Sequence, residues 1–182
     1  LSRPALKSNL RFIRSQLPRG TELSSVVKGN AYGHGIETFV PLAEELGVRH
    51  FSVVDSYEAA RVTACAGPDV RTMIMGHIAD DEVEWAVAHG VEFWVFDLER
   101  LEAASAAAAT VGRPARIHLE VETGMHRTGF EIDELVEAGR RIAADASRFT
   151  VRGLCTHFAG AESISNHTRV VRQIERFEEA NA

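Results

Sequence analysis

Short runs rich in β-branched and aromatic residues alternate with segments of helical periodicity, and this alternation restricts the possible folds of the chain more than any other feature. In residues 36–46, for example, apolar side chains recur at every third or fourth position, as they do on one face of a helix. The pattern predicts strands over residues 23–27, 50–54, 71–75, 92–96, 115–122 and 151–157. It predicts helices over residues 36–46, 80–89, 98–111, 132–146 and 166–179, with a further helix opened by a capping-box-like start at Asp55.

Six strand-then-helix units joined by connections of a few residues predict right-handed crossovers and a parallel sheet. Two α/β architectures fit this pattern, an open doubly wound sheet and a (β/α)8 TIM barrel. No G-x-G-x-x-G motif follows the first predicted strand, so the dinucleotide-binding form of the open sheet loses its main support. The alanine-rich residues 103–109 fit a helix of the outer layer, because alanine has the highest helix propensity.

Composition excludes several classes of function. The net charge of −6 and the pI of about 5.8 argue against a nucleic-acid partner, which would need a basic surface. No apolar run approaches the roughly 18 residues of a membrane span, and the first 20 residues do not resemble a signal peptide. Cys65 and Cys155 are too few for a disulfide framework and are not spaced as a metal-binding pair. We therefore expect a cytoplasmic globular domain with two buried, reduced thiols and no metal.

In both candidate architectures, functional residues collect at the carboxyl ends of the strands. Lys28 follows the apolar end of the first predicted strand and precedes three glycines within seven residues. A partly desolvated lysine there would favour its neutral, nucleophilic amine, which can form a Schiff base with an aldehyde cofactor. The glycines would allow close approach of a bulky ligand. Taken alone, the same residues also fit a solvated lysine followed by an ordinary turn.

Three segments at predicted strand ends closely resemble the alanine racemase family. Residues 26–35 (VVKGNAYGHG) are similar to that family's signature around its cofactor lysine, although Gly29 stands where alanine is usual. Residues 119–130 (LEVETGMHRTGF) and 155–162 (CTHFAGAE) are similar to the family's fifth and sixth strand ends, in the same order and at similar separations. The resemblance extends over residues 9–177. It implies a TIM barrel that binds pyridoxal 5'-phosphate and racemises amino acids, with about six βα units present here.

The resemblance also implies roles for individual residues. Lys28 matches the lysine that binds the cofactor as an internal aldimine and then serves as one of two catalytic bases. Tyr32 matches a tyrosine that contacts the cofactor phosphate, and His157 matches a histidine packed against the pyridine ring. Arg127 matches an arginine near the cofactor's phenolic oxygen and the substrate carboxylate, a role that suits the guanidinium fork.

Glu120 departs from the family pattern. Many members carry at this position a lysine that is carbamylated, and so negatively charged, whereas Glu120 supplies a carboxylate directly. We expect Glu120 to pair with Arg127, to stay ionised beside it and to support its orientation. The departure suggests a divergent branch whose substrate need not be alanine. Asn30 and His34 belong to the signature but have no predicted role, and we interpret Asp55, His77 and His126 as loop residues.

The predicted function is amino-acid racemisation, with alanine as the first candidate substrate and a broader or basic amino acid as the second. One alternative is a non-catalytic pyridoxal-phosphate carrier, and another is a decarboxylase or a D-amino-acid lyase on the same barrel. The resemblance implies a homodimer in which the partner subunit supplies the second base. It also implies that the barrel domain is incomplete at its carboxyl-terminal side and that a β domain follows residue 182.

Overall fold

The computed structural model describes residues 1–182, which form two compact units, Leu1–Ile78 and Ala79–Ala182. The helices are α1 (Arg3–Gln16), α2 (Ile36–Glu45), α3 (Ser56–Cys65), α4 (Asp80–Ala88), α5 (Leu98–Val111), α6 (Ile132–Ala144) and α7 (His167–Asn181). The strands are β1 (Ser24–Val26), β2 (His50–Val53), β3 (Arg71–Ile74), β4 (Glu92–Val95), β5 (Ala115–Glu120) and β6 (Phe149–Cys155). A short helical segment, Lys28–Tyr32, follows β1, and two 3-10 turns cover Ala146–Arg148 and Ile164–Asn166.

The strands belong to a six-stranded sheet in the order β1 to β6, so strands that follow one another in the chain are neighbours in the sheet. This order and the alternation of strands with helices agree with part of a (β/α) barrel. The chain therefore has the predicted fold class.

The first unit is built on parallel pairing of β1 with β2 and of β2 with β3. Apolar residues at helical spacing in α2 (Ile36, Val40 and Ala43) are completely buried, which is why the periodicity predicted this helix. Helix α3 begins as predicted, because the Asp55 carboxylate accepts a hydrogen bond from the backbone N–H of Glu58 at 2.8 Å.

The second unit pairs β4 with β5 and β5 with β6, again in parallel, with an irregularity in the β5–β6 register between Ile117 and His118. Helix α5 is capped at its start by Asp97 and ends at Gly112, whose φ of 71° gives the left-handed conformation that favours glycine. The carboxylate of Glu92 is fully buried and forms ion pairs with Arg116 at 2.8 Å and with Arg152 at 3.2 Å. Those two cations compensate the charge that β4 buries.

Three details differ from the sequence predictions. Helix α1 was not predicted, although Ser2 caps its first turn by accepting from the N–H of Ala5. The strands mostly end one or two residues before their predicted limits, since the last predicted residues already belong to the loops that follow. Cys65 and Cys155 are unpaired as expected but only partly buried. None of the helices is both long and apolar enough to cross a membrane.

Candidate active site

Lys28 lies where β1 ends and the chain turns. The preceding residue, Val27, is fully buried, and its N–H donates to the carbonyl oxygen of Ser52 at 2.8 Å. The Lys28 side chain is exposed, so the partial desolvation expected from its position at a strand end is not present. Its amine takes part in no hydrogen bond or ion pair, which leaves the nitrogen available to react.

The segment after Lys28 is a left-handed helical turn. Gly29, Asn30, Ala31 and Tyr32 have φ angles of 61°, 54°, 54° and 53°. Only glycine adopts this conformation freely, and an L-residue pays roughly 1–2 kcal/mol for it. Three consecutive non-glycine residues therefore store strain next to Lys28, and such strain persists only where the surrounding structure holds it.

Backbone hydrogen bonds close this turn at both ends. The N–H of Ala31 donates to the carbonyl of Val27 at 2.7 Å, and the N–H of Gly35 donates to the carbonyl of Asn30 at 2.9 Å. Ala31 itself is 3% exposed, so its methyl group anchors the turn in the core. Lys28 and Tyr32 are thereby fixed at the two ends of one five-residue segment.

The residues of this turn fit a bulky cofactor. A Cβ atom added at Gly29 or Gly33 would meet no heavy atom within 4 Å, so the backbone has open space at both positions. The Tyr32 side chain is 65% exposed, which leaves its hydroxyl accessible to a phosphate group. An unpaired lysine amine, an accessible phenol and open backbone match the requirements of pyridoxal phosphate.

Arg127 lies on a loop whose ends are joined. The N–H of Phe130 donates to the Glu120 carbonyl at 2.8 Å, and Val121 and Phe130 form an isolated parallel bridge. Inside the loop, the buried Glu122 carboxylate accepts from the N–H groups of Gly124 and His126. These bonds order the loop from within, while the Arg127 side chain remains exposed.

Glu120 is 2% exposed, and its Oε2 atom has no hydrogen-bond partner. Burial raises the pKa of this carboxyl above its ordinary value, although the Thr128 hydroxyl and the charge of Arg127 oppose the shift. The expected direct pair between Glu120 and Arg127 is not formed. The carboxylate is buried whereas the Arg127 side chain is exposed, and the guanidinium acts on the carboxylate only through its charge. The effect of burial on this pKa outweighs the attraction of Arg127, which is the only one of the two that the sequence shows. Burial and the nearby Glu120 carboxylate also raise the pKa of the Cys155 thiol.

His157 follows β6 and is exposed. The residue before it, Thr156, is fixed by two hydroxyl contacts, since it donates to the Val121 carbonyl at 2.9 Å and lies 2.7 Å from the Thr123 hydroxyl. The hydrogen of Thr156 is used in the first contact, so Thr123 is the donor in the second. This chain of hydroxyls ties the end of β6 to the loop that carries Arg127.

The structure thus divides the predicted site residues into two groups, each within one unit. Lys28 and Tyr32 share the left-handed turn, whereas Glu120, Arg127 and His157 gather at the ends of β5 and β6. The other residues considered have structural roles: Asp55 caps α3, His34 stacks on Phe39 with ring centroids 6.5 Å apart, and His126 adopts a φ of 55° inside its loop.

Sequence reasoning missed three residues that hold the first group, Asn30, Glu58 and Arg61. Asn30 had no predicted role, and Glu58 was seen only as part of a helix start. Asparagine is one of the few non-glycine residues that tolerate the left-handed region, and this preference was the available signal for Asn30. No local signal marked Glu58, because its contact to Asn30 joins positions 28 residues apart.

Fold and site together define a parallel β/α domain that presents an exposed lysine after its first strand. The family described as "Alanine racemase, N-terminal domain" matches residues 1–182. The chain therefore belongs to the alanine racemase N-terminal domain family.

Several proteins named alanine racemase are similar to this chain. Alanine racemases from Leptospira interrogans (serovar copenhageni) and Chlorobaculum tepidum are 32% and 34% identical over 180 and 174 residues, covering 99% and 94% of this chain. The solved alanine racemase from Streptomyces coelicolor A3(2) superposes with a TM-score of 0.89 at 31% identity over 98% of this chain. The chain spans 45% of both relatives and 48% of the solved structure.

Proposed function

We propose that this chain is the cofactor-binding barrel domain of a pyridoxal-phosphate-dependent amino-acid racemase, with alanine as the first candidate substrate. The observation that carries the proposal is the position of Lys28, whose unpaired amine follows β1 at the start of a strained left-handed turn. The similarity to proteins named alanine racemase supports the reaction class.

Lys28 would hold the cofactor covalently through its amine, and Tyr32 would donate its hydroxyl to the cofactor phosphate. Pyridoxal phosphate, when bound, withdraws electrons from the substrate α-carbon and so acidifies the hydrogen there. The Lys28 amine would take or return that proton on one face of the α-carbon. An exposed, unpaired amine can serve in both roles, because no competing partner must first be displaced.

Arg127 would bind the substrate carboxylate, to which a guanidinium can make two parallel hydrogen bonds. The ordered loop limits the directions that Arg127 can take, and His157 would pack against the pyridine ring. Glu120 would act on Arg127 by charge, with Thr128 as its hydrogen-bonding neighbour. The buried carboxylate is thus a supporting group that contacts neither cofactor nor substrate.

Racemisation requires proton transfer on both faces of the α-carbon, and Lys28 serves only one of them. We place the second base outside this chain, on the partner subunit of a homodimer. The remaining phosphate ligands would also lie outside it.

Covalent labelling tests the assignment of Lys28. The full-length protein would be incubated with pyridoxal phosphate, reduced with borohydride and digested for peptide mass mapping. The chain has two lysines, so Lys7, exposed on α1, is an internal control. We expect the label on Lys28 alone and its loss in Lys28→Ala. A label confined to Lys7, or the absence of any label in the wild-type protein, would contradict the proposal.

Exchange of the α-hydrogen tests the reaction and its substrate. Full-length protein in deuterated water should exchange the α-hydrogen of both enantiomers of alanine and equilibrate them. Faster exchange with lysine or arginine would indicate that the substrate is a basic amino acid and not alanine. Labelling of Lys28 without exchange of any amino acid would contradict racemisation and indicate a carrier.

A further inference from the structure

Asn30 lies at the centre of the left-handed turn and connects it to two other elements. Its backbone N–H donates to Glu58 Oε1 at 2.9 Å, and its side-chain Oδ1 accepts from the N–H of Ile36 at 3.2 Å. The same Oδ1 accepts from Arg61 Nη2 at 2.6 Å. One residue in a strained conformation is therefore held through both its backbone and its side chain.

Glu58 holds the turn against the end of β2. Its side chain is buried at 7% exposure, and Oε2 accepts from the N–H of Val54 at 3.4 Å while Oε1 accepts from Asn30. The Glu58 backbone is itself fixed by the Asp55 cap at 2.8 Å. This carboxylate thus bridges two chain segments through their backbone N–H groups.

Arg61, also on α3, contacts the turn through the Asn30 side chain and the start of α2 through Glu37. Its guanidinium makes a two-pronged ion pair with Glu37, both contacts being 2.7 Å, and lies 5.7 Å from the Tyr57 ring centroid. The Arg61 side chain is only 25% exposed, so this fork is largely held in place. The turn is consequently clamped between α3 and the segment that leads into α2.

The Lys28 amine has no partner of its own, so the backbone fixes only the point from which the side chain projects. Tyr32 is the last residue of the turn, so the direction of its side chain likewise depends on the backbone there. A change in the turn would therefore displace both ends of the proposed cofactor site at once. Neither Glu58 nor Arg61 has a role in the chemistry proposed above.

We propose that Glu58 and Arg61 are positioning residues, which act through Asn30 to hold the left-handed turn and so align Lys28 and Tyr32 for the cofactor. This inference rests on the proposed function of Lys28. It deepens that function, because it assigns the alignment of the site to side chains outside it.

The test uses full-length protein with pyridoxal phosphate and three disruptive variants, Asn30→Gly, Glu58→Ala and Arg61→Lys. Asn30→Gly keeps the left-handed backbone accessible but removes Oδ1, so a loss of function could not arise from backbone strain. Asn30→Asp keeps the accepting Oδ1 atom and serves as the rescue variant. Glu58→Gln keeps only one of the two accepting oxygens, so it should lie between Glu58→Ala and wild type. Arg140→Lys, at an arginine whose side chain is 74% exposed on α6, is the matched control for Arg61→Lys.

Hydrogen exchange provides a readout that does not need the cofactor. We expect Asn30→Gly to lose protection at the amide of Ile36 and Glu58→Ala to lose it at the amide of Asn30. With the cofactor present, the disruptive variants should bind pyridoxal phosphate about tenfold more weakly or worse. The pH midpoint of the Lys28-bound cofactor's visible absorbance should shift by about half a unit or more. The rescue and control variants should remain close to wild type.

A merely structural role would lower the melting temperature without moving the cofactor's absorbance midpoint or its affinity. Disruptive variants that match wild type in both properties, while wild type is labelled at Lys28, would overturn the positioning role. A wild-type protein that is not labelled at Lys28 would instead contradict the proposed function, so the two failures are distinguishable.

Discussion

The backbone N–H of Phe130 donates to the carbonyl oxygen of Glu120 at 2.8 Å, so the loop that leaves β5 returns to the residue where it began. The N–H of Glu122 completes the closure by donating to the Phe130 carbonyl at 3.0 Å. Arg127 projects from this closed loop. Its placement therefore depends on the residues that close the loop as well as on its own contacts.

Gly129 is one such residue, and we predict that Gly129→Ala disrupts the loop. An added Cβ would lie 2.6 Å from the Glu122 nitrogen, and the φ of +123° at Gly129 disfavours any L-residue. The backbone cannot yield as a flexible side chain would, so we expect a loss of about 1–3 kcal/mol in the free energy of unfolding. Denaturant titration of the full-length protein measures this loss.

The matched control is Gly139→Ala, at an exposed position inside α6 where an added Cβ meets nothing within 4 Å. Alanine there should stabilise the protein by about 0.5–1 kcal/mol, since glycine disfavours a helix interior. Equal stability of the two variants would show that the Gly129 backbone can relax.

Arg127→Lys should weaken binding of the substrate carboxylate. Lysine keeps the charge but cannot make two parallel hydrogen bonds, and a hydrogen bond to a charged group contributes about 1.5–3 kcal/mol. We expect kcat/KM to fall about tenfold or more in steady-state racemase assays. Arg172→Lys, at an exposed residue of α7, should leave the kinetics unchanged. Unaltered kinetics in Arg127→Lys would contradict the role of Arg127 in binding the substrate carboxylate.

The sequence predicted much of this fold because its determinants are local. The buried Ile36, Val40 and Ala43 of α2 recur at helical spacing, and Asp55 precedes its helix at the capping position. Helix α1 was missed although Leu6, Leu10 and Ile13 recur in it at helical spacing, so this signal was present in the sequence.

The candidate site was predictable only in part, because strand ends can be read from sequence but tertiary contacts cannot. The position of Lys28 after β1 follows from local pattern. The left-handed turn requires a partner for Asn30 from α3, and alternation along β5 could not show that Glu120 faces the interior. The pKa of Glu120 depends on that burial, so the charge of Arg127 alone does not set the direction of its shift.

Activity should not depend on dissolved carbon dioxide. The resemblance implies a carbamylated lysine at this position in related racemases, whereas Glu120 carries its carboxylate in the sequence itself. Full-length enzyme assayed in degassed, bicarbonate-free buffer should match enzyme assayed with bicarbonate. Glu120→Lys is the informative comparison, because its activity should rise when bicarbonate is added. Bicarbonate dependence of wild type would point to a different acceptor for carbon dioxide.

At high pH, Glu120→Gln should lower turnover but should be more stable than wild type. If the ionised carboxylate orients Arg127, its neutral isostere should lower kcat about tenfold or more, which corresponds to about 1.4 kcal/mol of transition-state stabilisation. Since burial raises the pKa of Glu120 in the folded protein, folding favours its protonated form. The stability this group contributes is fully present below its ordinary pKa of 4.5 and is lost as pH rises through the raised value. Glutamine does not titrate, so wild type should lose stability relative to Glu120→Gln over that interval.

Thr128→Val changes the pKa of Glu120 without changing the Glu120 side chain itself. The Thr128 hydroxyl opposes the rise in the pKa of Glu120, so its removal should raise that pKa further and move the acidic limb of the pH–kcat profile to higher pH. Glu120→Gln should lack that limb altogether, because the group that titrates is gone. Denaturant titrations of all three proteins from about pH 4 to about pH 8 give the matching stability curves.

If Glu120→Gln keeps wild-type turnover while its stability curve still diverges as described, Glu120 is a buried acid without influence on Arg127. The supporting role assigned to Glu120 would then be wrong, even though its pKa is shifted.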